Sequence, residues 1–500
     1  MCQTHGYLEV GADSVPANGP SVIQLVLINP PLSIEARYGV KSQSGGQTPP
    51  FGLACLAAIA REKGFPTAII DAPAQGFTPE QVAAEVFRLG AAVVGLTAAT
   101  IAIGSAAHVA SLIKQQNPLI PVLIGGPHLT ALPEETMKRH LEFDLGVIGE
   151  GEMTLAELLP RLLSGKELSK VDGLILRQGK NLVRTSPRAP ILDLDSLPSP
   201  AFDLLPDLAT HYCPPVHTVR RLPAALLVAS RGCPGKCLFC DRSVFGNRLR
   251  SWSAAYTLRM IEELYHRYGI REIQIRDDNF LAFPRRLEEL CDGLIKRRLD
   301  LVWTCAGRVD MVTPARLELM RKAGCWQIWY GIESGNEDIL KTIGKHTTLA
   351  QIRRAVRLTK AAGIQPCGFF ILGHPGETKE SLQATIRLAC RLPLADAHFS
   401  FMTPFPGSEL YCRIHEFGEF HAEWPDLNGW KPTFVPHGLT AADLEAASKK
   451  AFRSFYFRTR IFVGYLRRVS SLAQLRLYFR GFRALIQWLS RSGTRTQVAE

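Results

Sequence analysis

The chain has 500 residues, of which 46% are hydrophobic and 21% charged, and this length predicts about two to four domains. The composition is typical of globular proteins and excludes a wholly disordered, collagen-like or coiled-coil chain. No apolar run approaches the ~18 residues of a membrane-spanning helix. The first residues lack the basic and apolar regions of a secretory signal, so we expect a cytoplasmic protein.

Basic residues are concentrated at the end of the chain. The net charge is +12, and the segment from Lys449 to Arg495 contains twelve Lys or Arg residues and no Asp or Glu. The rest of the chain is close to neutral. We therefore expect no nucleic-acid partner, because no recognised binding module accompanies this charge.

Residues 1–165 alternate β-like apolar runs with helical patterns, which predicts a doubly wound, flavodoxin-like α/β domain. The predicted strands are Ser21–Asn29, Thr67–Asp71, Ala92–Thr97, Pro121–Gly125 and Leu145–Ile148. The predicted helices are Phe51–Lys63, Pro79–Leu89, Gly104–Gln116 and two that begin near Pro133 and Met153. In such a sheet, ligands bind beyond the carboxyl ends of the strands.

Residues 166–221 read as a hairpin around Gly179 followed by a Pro-rich linker. Residues 222–425 then repeat a strand–helix pattern six times, which predicts a parallel partial (β/α)6 barrel with its chemistry on the loops that follow the strands. The predicted strands are Ala225–Ala229, Glu272–Arg276, Leu301–Ala306, Gln327–Ile332, Gly368–Leu372 and His398–Met402.

Helices are predicted between these strands and in the remainder of the chain. Ser253 and Thr313 are predicted N-caps, with Pro314 at the first helical position. Residues 426–500 form a helical, basic tail by their pattern, with a capping box at residues 471–474. The predicted barrel helices are Ala254–Tyr268, Pro284–Arg298, Pro314–Ala323, Leu349–Ala362 and Glu380–Arg391.

Three of the twelve cysteines form a C-x3-C-x2-C cluster at Cys233, Cys237 and Cys240, directly after the first barrel strand. Thiolates in this arrangement suit an iron–sulfur cluster or zinc, and His211 and His217 lie at no standard zinc spacing. Three thiolates on a four-iron cluster leave one iron open to a substrate. The pattern therefore favours a reactive cluster over a structural one.

With an aromatic residue just before the third cysteine, this motif resembles that of the radical S-adenosylmethionine (SAM) superfamily, over roughly residues 222–416. The resemblance implies that Cys233, Cys237 and Cys240 bind a [4Fe-4S] cluster, that its open iron binds SAM, and that Phe239 lies beside the adenine. One electron from the cluster then cleaves SAM and releases a 5′-deoxyadenosyl radical.

Further SAM contacts are implied at the ends of the barrel strands. Asp278 follows the second strand, where the family often has Gly-Gly-Glu to hold the SAM ammonium. Arg308 follows the third strand and could meet the SAM carboxylate, and Glu333 and Ser334 follow the fourth, near the ribose. Phe405-Pro-Gly407 follows the sixth, near the adenine. The alternative for the charged residues is an ordinary solvated or salt-bridged loop.

The doubly wound domain, the Pro-rich linker and the cysteine motif together resemble the cobalamin-binding subgroup of this superfamily. Many cobalamin enzymes use a D-x-H-x-x-G signature to supply a histidine to cobalt, but members of this subgroup commonly lack that histidine. The signature is absent here, since the only D-x-H is Asp396-Ala-His398 in the barrel, so the lower cobalt face has no assigned ligand. His128 is a loop or nucleotide-tail contact in this hypothesis, and Thr97 is either a tail contact or a helix cap. The implied cobalamin contacts are Thr97, Gly125, Gly126, His128, Gly149 and Glu150.

The resemblance implies an enzyme that uses cobalamin and two molecules of SAM to methylate an unreactive carbon of a small-molecule or lipid-like substrate. An anaerobic oxidative cyclase, which forms a ring or inserts oxygen, is the alternative within the same cofactor set. A methylthiotransferase is excluded, because it needs a second cysteine cluster upstream, and a passive binding module is a further alternative.

Two partners beyond the substrate are expected. An electron donor such as a flavodoxin or ferredoxin would reduce the cluster. The basic, aromatic tail either contacts an anionic membrane peripherally or packs over the open side of the barrel.

Overall fold

The computed structural model describes residues 23–39, 42, 45–215, 218–466 and, near the C-terminus, 478–479, 481–483, 486 and 488–490. His217 and the predicted capping box at residues 471–474 lie outside the described residues. In the described part, no helix combines the length and the apolar character needed to cross a bilayer.

The first domain contains a seven-stranded sheet in the order β2-β1-β3-β4-β5-β6-β7. The strands β1 to β5 are parallel, and the order 2-1-3-4-5 confirms the predicted doubly wound fold. The hairpin predicted around Gly179 is present, and it extends this sheet as the antiparallel strands β6 and β7. The strands are β1 Leu25–Asn29, β2 Thr67–Asp71, β3 Val93–Thr97, β4 Val122–Gly125, β5 Leu145–Val147, β6 Leu174–Gln178 and β7 Asn181–Arg184.

Helices cover both faces of this sheet. Residues of α2 and α8 belong to one hydrophobic core, and residues of α4 and α5 to another on the opposite face. The capping box of Thr78 and the proline after it fix the start of α4. The helices are α1 Ile34–Tyr38, α2 Phe51–Glu62, α3 Ala72–Gln75, α4 Pro79–Arg88, α5 Ile103–Gln116, α6 Pro127–Ala131, α7 Pro133–Arg139 and α8 Gly151–Leu163.

The second domain is built on a six-stranded, wholly parallel sheet in the order β15-β14-β13-β12-β11-β8. Because this order follows the chain and the sheet does not close, it is the predicted partial barrel. Two small antiparallel pairs, β9–β10 and β16–β17, accompany it. The strands are β8 Ala224–Leu227, β9 Ser230–Arg231, β10 Arg250–Ser251, β11 Glu272–Ile275, β12 Val302–Gly307, β13 Cys325–Glu333, β14 Gln365–Leu372, β15 Asp396–Phe401, β16 Gly418–Phe420 and β17 Phe434–Pro436.

The barrel helices lie within a residue of their predicted bounds, since local caps set them. Ser253 and Thr313 each accept a hydrogen bond from the backbone N–H three residues later, as predicted. The helices are α9 Ala254–Tyr268, α10 Pro284–Arg297, α11 Pro314–Lys322, α12 Glu337–Thr342, α13 Leu349–Ala361, α14 Lys379–Arg391, α15 Glu409–Cys412, α16 Ala441–Tyr456 and α17 Thr459–Leu466.

The described start of the tail packs on the barrel. The hydroxyls of Tyr456 and Tyr465 donate to the two carboxylate oxygens of Asp396 at 2.6 and 2.8 Å. Arg460 donates to the Leu392 carbonyl beyond the end of α14. Helices α16 and α17 therefore cover the last strand, which supports the packing alternative for residues 441–466.

Candidate functional site

The loop that follows β8 gathers the three clustered cysteines. A Cβ at Gly235 would lie 3.4 Å from the Cys233 sulfur and 3.8 Å from the Cys237 sulfur. A hydrogen bond with Cys240 lowers the pKa of Cys237 to about 6, with help from the nearby positive charges of Lys345 and Arg308. The same hydrogen bond, together with burial, raises the pKa of Cys240. Of this pair, Cys237 is therefore the thiol that the surroundings favour as a thiolate.

This donor set fits an iron–sulfur cluster better than a single ion. In the described ranges, no three His, Cys, Asp or Glu side chains are arranged to hold one metal ion. A [4Fe-4S] cluster does not require that convergence, because each thiolate binds a different iron. Cys237 is buried, and Cys233 and Cys240 are partly accessible.

The cysteine loop is anchored by buried polar residues. Asp277 accepts hydrogen bonds from the Ala229 backbone N–H at 2.6 Å and from the Ser230 hydroxyl at 2.5 Å, and Arg286 donates to the Ala229 carbonyl at 2.5 Å. Asp277 is therefore occupied in holding the loop. The neighbouring Asp278 has the accessible carboxylate of the pair.

Asp278 lies where a ligand ammonium could meet it. Its surroundings desolvate the carboxylate and raise its pKa, an effect that the Gly232 backbone N–H partly offsets and that Asp241 reinforces. A cationic group on a ligand would lower that pKa again and stabilise the charged form. The SAM contact predicted for Asp278 is consistent with this position and stays a prediction.

Arg308 and Glu333 lie on either side of Lys345, which the sequence did not single out. Arg308 donates to the Lys345 carbonyl at 3.1 Å, and the Lys345 ammonium donates to Glu333 at 2.8 Å. Glu333 has a φ of +64°, a strained conformation typical of functional sites. It is paired with Lys345, so its predicted ribose contact would have to share this carboxylate.

Ser334 is directed away from the concave side of the sheet. Its hydroxyl lies 3.2 Å from that of Thr385 on α14 and accepts from the Asn336 backbone N–H. At Gly335 a Cβ would lie 2.6 Å from the Thr385 Cα. The structure thus gives Ser334 a role in packing β13 against α14, where the sequence analysis placed a SAM contact.

Phe239 packs beside His374, the second site residue that sequence reasoning missed. Their ring centroids are 5.9 Å apart, and burial lowers the pKa of His374 to about 3, so this imidazole is neutral. His374 follows the fifth barrel strand, as Asp278 and Glu333 follow the second and fourth. That position was the signal available in the sequence.

In the first domain, the linker closes the ends of β1 and β2. Asp71 is fully buried, and it accepts from Asn29 at 2.7 Å and from the hydroxyl of Tyr212 in the linker at 2.6 Å. The ends of β3, β4 and β5 carry the remaining predicted contacts. A ligand of this domain therefore has access to that half of the sheet.

Two glycines leave the backbone at those strand ends uncovered by side chains. Gly126 has a φ of +95°, and a Cβ there would lie 2.6 Å from the Thr97 hydroxyl. Gly149 has a φ of +80°, a Cβ there would meet nothing within 4 Å, and its N–H donates to Thr130 at 3.0 Å. With Gly125 and Thr97 half-exposed, this edge fits the broad, flat face of a corrinoid.

His128 differs from its predicted role as a cobalamin contact. Its ring is 1% exposed, lies 4.4 Å from Trp424 by ring centroids and has Nδ1 3.2 Å from the Thr100 hydroxyl. Burial, with the nearby His140 and Arg139, lowers its pKa to about 4. Local sequence could not predict this burial, because the covering Trp424 lies almost 300 residues further along the chain, after the last barrel strand.

Glu150 also differs from its predicted role, because it is an ion-pair residue between the domains. Its carboxylate binds Arg231 at 2.9 Å and Arg250 at 2.5 Å, and Glu152 binds Arg231 as well. All four side chains are buried. Arg231 lies two residues before Cys233, so this network ties the end of β5 to the cysteine loop.

Comparison with known proteins gives two family matches. The model of the "Radical SAM superfamily" matches residues 227–389, and that of the "B12 binding domain" matches residues 39–159. An uncharacterized methyltransferase of Pyrococcus horikoshii is 33% identical over 88% of this chain and 94% of its own length. An anaerobic magnesium-protoporphyrin IX monomethyl ester cyclase of Rubrivivax gelatinosus is 28% identical over 83% of this chain and 75% of its own.

Two solved structures share the fold over most of the chain. The cobalamin-dependent SAM radical enzyme OxsB has a TM-score of 0.72 at 19% identity, over 93% of this chain and 72% of its own. The radical SAM methyltransferase TsrM from Kitasatospora setae has a TM-score of 0.68 at 17% identity, over 93% of this chain and 99% of its own. By its two matched domains and its curated relative, the chain belongs to the radical SAM superfamily, as a member with a B12-binding domain.

Proposed function

We propose that this radical SAM enzyme transfers a methyl group to an unreactive carbon of a small organic molecule, with a [4Fe-4S] cluster, SAM and cobalamin as its cofactors. The observation that carries the proposal is the buried network of Arg231 with Glu150 and Glu152. It fixes the predicted corrinoid edge of the first sheet against the cysteine loop of the second. When bound, the cluster supplies the electron that cleaves SAM, and cobalamin supplies the methyl group.

The chain's own residues hold and orient these groups. The three cysteines would bind the cluster, and Asp278 would accept hydrogen bonds from the SAM ammonium. Arg308 is paired with Asp310 at 3.0 Å, and its Nη1 lies beside the cysteine loop, 3.8 Å from the Cβ position of Gly235. A ligand carboxylate there would share this cation with Asp310. Asp277 and Arg286 hold the start of the loop in place through their hydrogen bonds to the Ala229 backbone.

A ring-forming or oxygen-inserting reaction is the second candidate, and the cyclase of Rubrivivax gelatinosus among the relatives favours it. The curated relative at 33% identity bears the name of a methyltransferase, as does TsrM. Methyl transfer is therefore the reaction that we place first.

The test is anaerobic reconstitution with iron, sulfide, cobalamin and SAM that carries a deuterated methyl group, followed by incubation with a library of small metabolites. A methyltransferase gives a product that contains the label, together with S-adenosylhomocysteine and 5′-deoxyadenosine. A product that lost hydrogen or gained oxygen without the label would replace methyl transfer by the second candidate. Absence of 5′-deoxyadenosine with every metabolite would overturn both.

The electron donor that we propose is a flavodoxin or a ferredoxin. The cluster needs a strong one-electron reductant for SAM cleavage, and partly accessible Cys233 gives the cluster loop a face toward solvent. Reduced flavodoxin should replace a chemical reductant in the reconstituted assay. Failure of reduced flavodoxin and ferredoxin alike would contradict this assignment.

We further propose that the C-terminal helices contact an anionic membrane surface. Phe457 and Phe462 are more than half exposed, and the surrounding segment holds only basic charges between Lys449 and Arg495. Exposed aromatics beside cations suit the interface of an anionic bilayer, where each cation contributes about 1 kcal/mol.

A further inference from the structure

The six-stranded sheet of the second domain has an accessible inner face. On β14, Phe370 and Leu372 are fully buried in the core that contains the helices, whereas Phe369 and Ile371 are half-exposed. Side chains of a strand alternate between its two faces, so the half-exposed positions mark the concave side. The cysteine loop and Asp278 lie at the carboxyl end of this same face.

Aromatic rings form a continuous wall along one half of this face. The rings of Trp329 and Phe369 stack with centroids 4.8 Å apart, those of Phe369 and His398 meet at 5.7 Å, and those of His398 and Trp430 meet at 4.9 Å. Phe369, His398 and Trp430 are half-exposed. Such a wall offers a flat, apolar surface to a planar ligand.

The other half of the face carries one cation, Arg276, which follows β11 on the inner side. Among the described residues, its hydrogen-bond partner is the amide oxygen of Gln274 at 2.5 Å, and no carboxylate forms an ion pair with it. Glu272, the carboxylate whose charge raises the pKa of Arg276, already accepts from two backbone N–H groups. Burial lowers the pKa of Arg276, which reflects the cost of a desolvated charge without a counterion.

A segment of the first domain crosses the space between the arginine and the aromatic wall. Tyr38 lies close enough to Arg276 to interact with it electrostatically. The next residue, Gly39, approaches Trp430, whose Cβ would lie 3.6 Å from a Cβ at this glycine. Tyr38, the last residue of α1, and Gly39 therefore lie over the concave face, between Arg276 and Trp430.

We propose that this covered part of the concave face binds a substrate with a planar, largely apolar body and one oxyanion group. The body would lie against the half-exposed rings of Phe369, His398 and Trp430, and the oxyanion would pair with Arg276. A guanidinium fork matches a carboxylate or phosphate in geometry and charge, and a bound oxyanion would supply the counterion that the described residues leave absent. The inference rests on the proposed function, and it names the substrate class for that reaction.

The test uses full-length protein reconstituted with its cluster, cobalamin and SAM, and three probes that share an indole ring. Indole-3-acetate and indoxyl phosphate carry the two kinds of oxyanion, and indole-3-acetamide is a neutral match. Calorimetric titration should show binding of at least one anion about tenfold tighter than that of the amide, as expected for one charge-assisted hydrogen-bonded pair. The tighter anion identifies carboxylate or phosphate as the source.

Variants assign the effect to residues. Arg276→Gln should remove the preference for the anions, and Arg276→Lys should retain part of it. Trp430→Ala should weaken all three probes alike. The matched control is Arg297→Gln. Arg297 lies on α10 and forms a partly exposed ion pair with Glu262 on α9, so this variant should bind all three probes as the wild-type protein does.

Equal binding of anion and amide by the wild-type protein would overturn the proposal, as would a preference that survives in Arg276→Gln. The wild-type comparison decides even if the Gln variant does not fold. Slow 5′-deoxyadenosine formation without substrate reports separately on the proposed function. If 5′-deoxyadenosine forms but the anionic and neutral probes bind with equal affinity, the proposed substrate class is wrong and the proposed function stands.

Discussion

A cluster of buried charged side chains lies where the two domains meet, with Arg231 at its centre. The guanidinium contacts Glu150 and Glu152, while Arg250 contacts Glu150 from the other side. Removing one partner from such a group leaves an uncompensated buried charge, which costs more than the pair itself contributes.

We therefore expect Arg231→Met to lower the free energy of unfolding by about 3–5 kcal/mol, measured by urea titration at neutral pH. The quadruple variant that adds Glu150→Gln, Glu152→Gln and Arg250→Met should recover much of the loss, because it leaves no charge of this buried network unpaired. Arg413→Met is the control, since Arg413 forms comparable pairs with Glu409 and Glu416 on the surface, and it should leave stability unchanged. An effect of Arg231→Met no greater than that of the control would refute the interpretation.

For the three clustered cysteines, we expect each of Cys233→Ala, Cys237→Ala and Cys240→Ala to abolish 5′-deoxyadenosine formation from SAM. Each change removes one of the three thiolates available to the cluster. The measurement is product analysis together with iron content after reconstitution. Cys412→Ala, at an exposed cysteine, should retain full activity, and activity retained in any of the other three variants would remove the cluster assignment.

At the scale of elements, the turn that carries Trp424 packs over α6 and buries His128. This burial makes the stability of the fold depend on pH. His128 is held neutral there, with a pKa lowered to about 4 by burial and by the nearby His140 and Arg139. An unfolded histidine titrates near pH 6.5. Below that pH the unfolded chain binds a proton that the folded chain excludes, so stability falls as the pH drops toward 4.

His128→Phe should keep the packing against Trp424 and remove this dependence. Between pH 6.5 and pH 4, the wild-type protein should lose up to about 3 kcal/mol of unfolding free energy relative to the variant. Denaturant titrations at several pH values, followed by tryptophan fluorescence, provide the comparison. His421→Gln, at an exposed histidine, is the control, and parallel pH profiles for wild type and His128→Phe would contradict the prediction.

The C-terminal helices provide a second test at this scale. Phe457→Ser with Phe462→Ser should reduce sedimentation with phosphatidylglycerol vesicles at low salt severalfold, because these are exposed aromatics of the basic segment. Leu119→Ser, at an apolar residue 87% exposed on the first domain, should have no effect. If the wild-type protein ignores anionic vesicles at low salt, the segment serves packing alone.

Element positions were predictable because their causes are local. Ser253 and Thr313 cap the helices that begin at the next residue. The apolar periodicity that predicts each barrel strand lies within the strand itself. The short helix α6 was missed, since Pro127–Ala131 has too few residues for a periodic pattern. The hairpin was found, but its attachment to the first sheet depends on pairing with a strand far back in the chain.

The site was predictable only where its residues lie together in sequence. The cysteine spacing and the glycines at strand ends are such signals. The roles of Glu150, His128 and Ser334 depend on Arg231, Trp424 and Thr385, which come from other elements. Lys345 and His374 gave no chemical signal of their own, because a single lysine or histidine in a loop is common.

At the scale of the whole molecule, one hydrophobic core runs through both domains. Residues of α2 and α8 share it with residues of the barrel sheet and its helices. We therefore expect the two domains to behave as one rigid unit when they bind their cofactors.

Within that unit, we expect cobalt(II)alamin to bind without an imidazole ligand from the protein. D-x-H-x-x-G is absent from the sequence, and His128 is enclosed beneath Trp424. Electron paramagnetic resonance of the reconstituted full-length protein should show no nitrogen superhyperfine splitting from a histidine, before or after His128→Phe. Superhyperfine splitting that changes when the chain is labelled with ¹⁵N-histidine would show that a histidine binds the cobalt and would contradict this prediction.

The hairpin at the edge of the first sheet offers a practical opening for labelling. Its tip at Gly179 has a φ of +60°, and a Cβ there would touch no other part of the described protein. Gln178, Gly179 and Lys180 are exposed, and the following strand is mostly exposed as well. Loop tips of this kind tolerate inserted peptides. A fluorophore-binding tag between Gly179 and Lys180 would therefore leave both chain termini untouched and report on the enzyme at a distance from its chemistry.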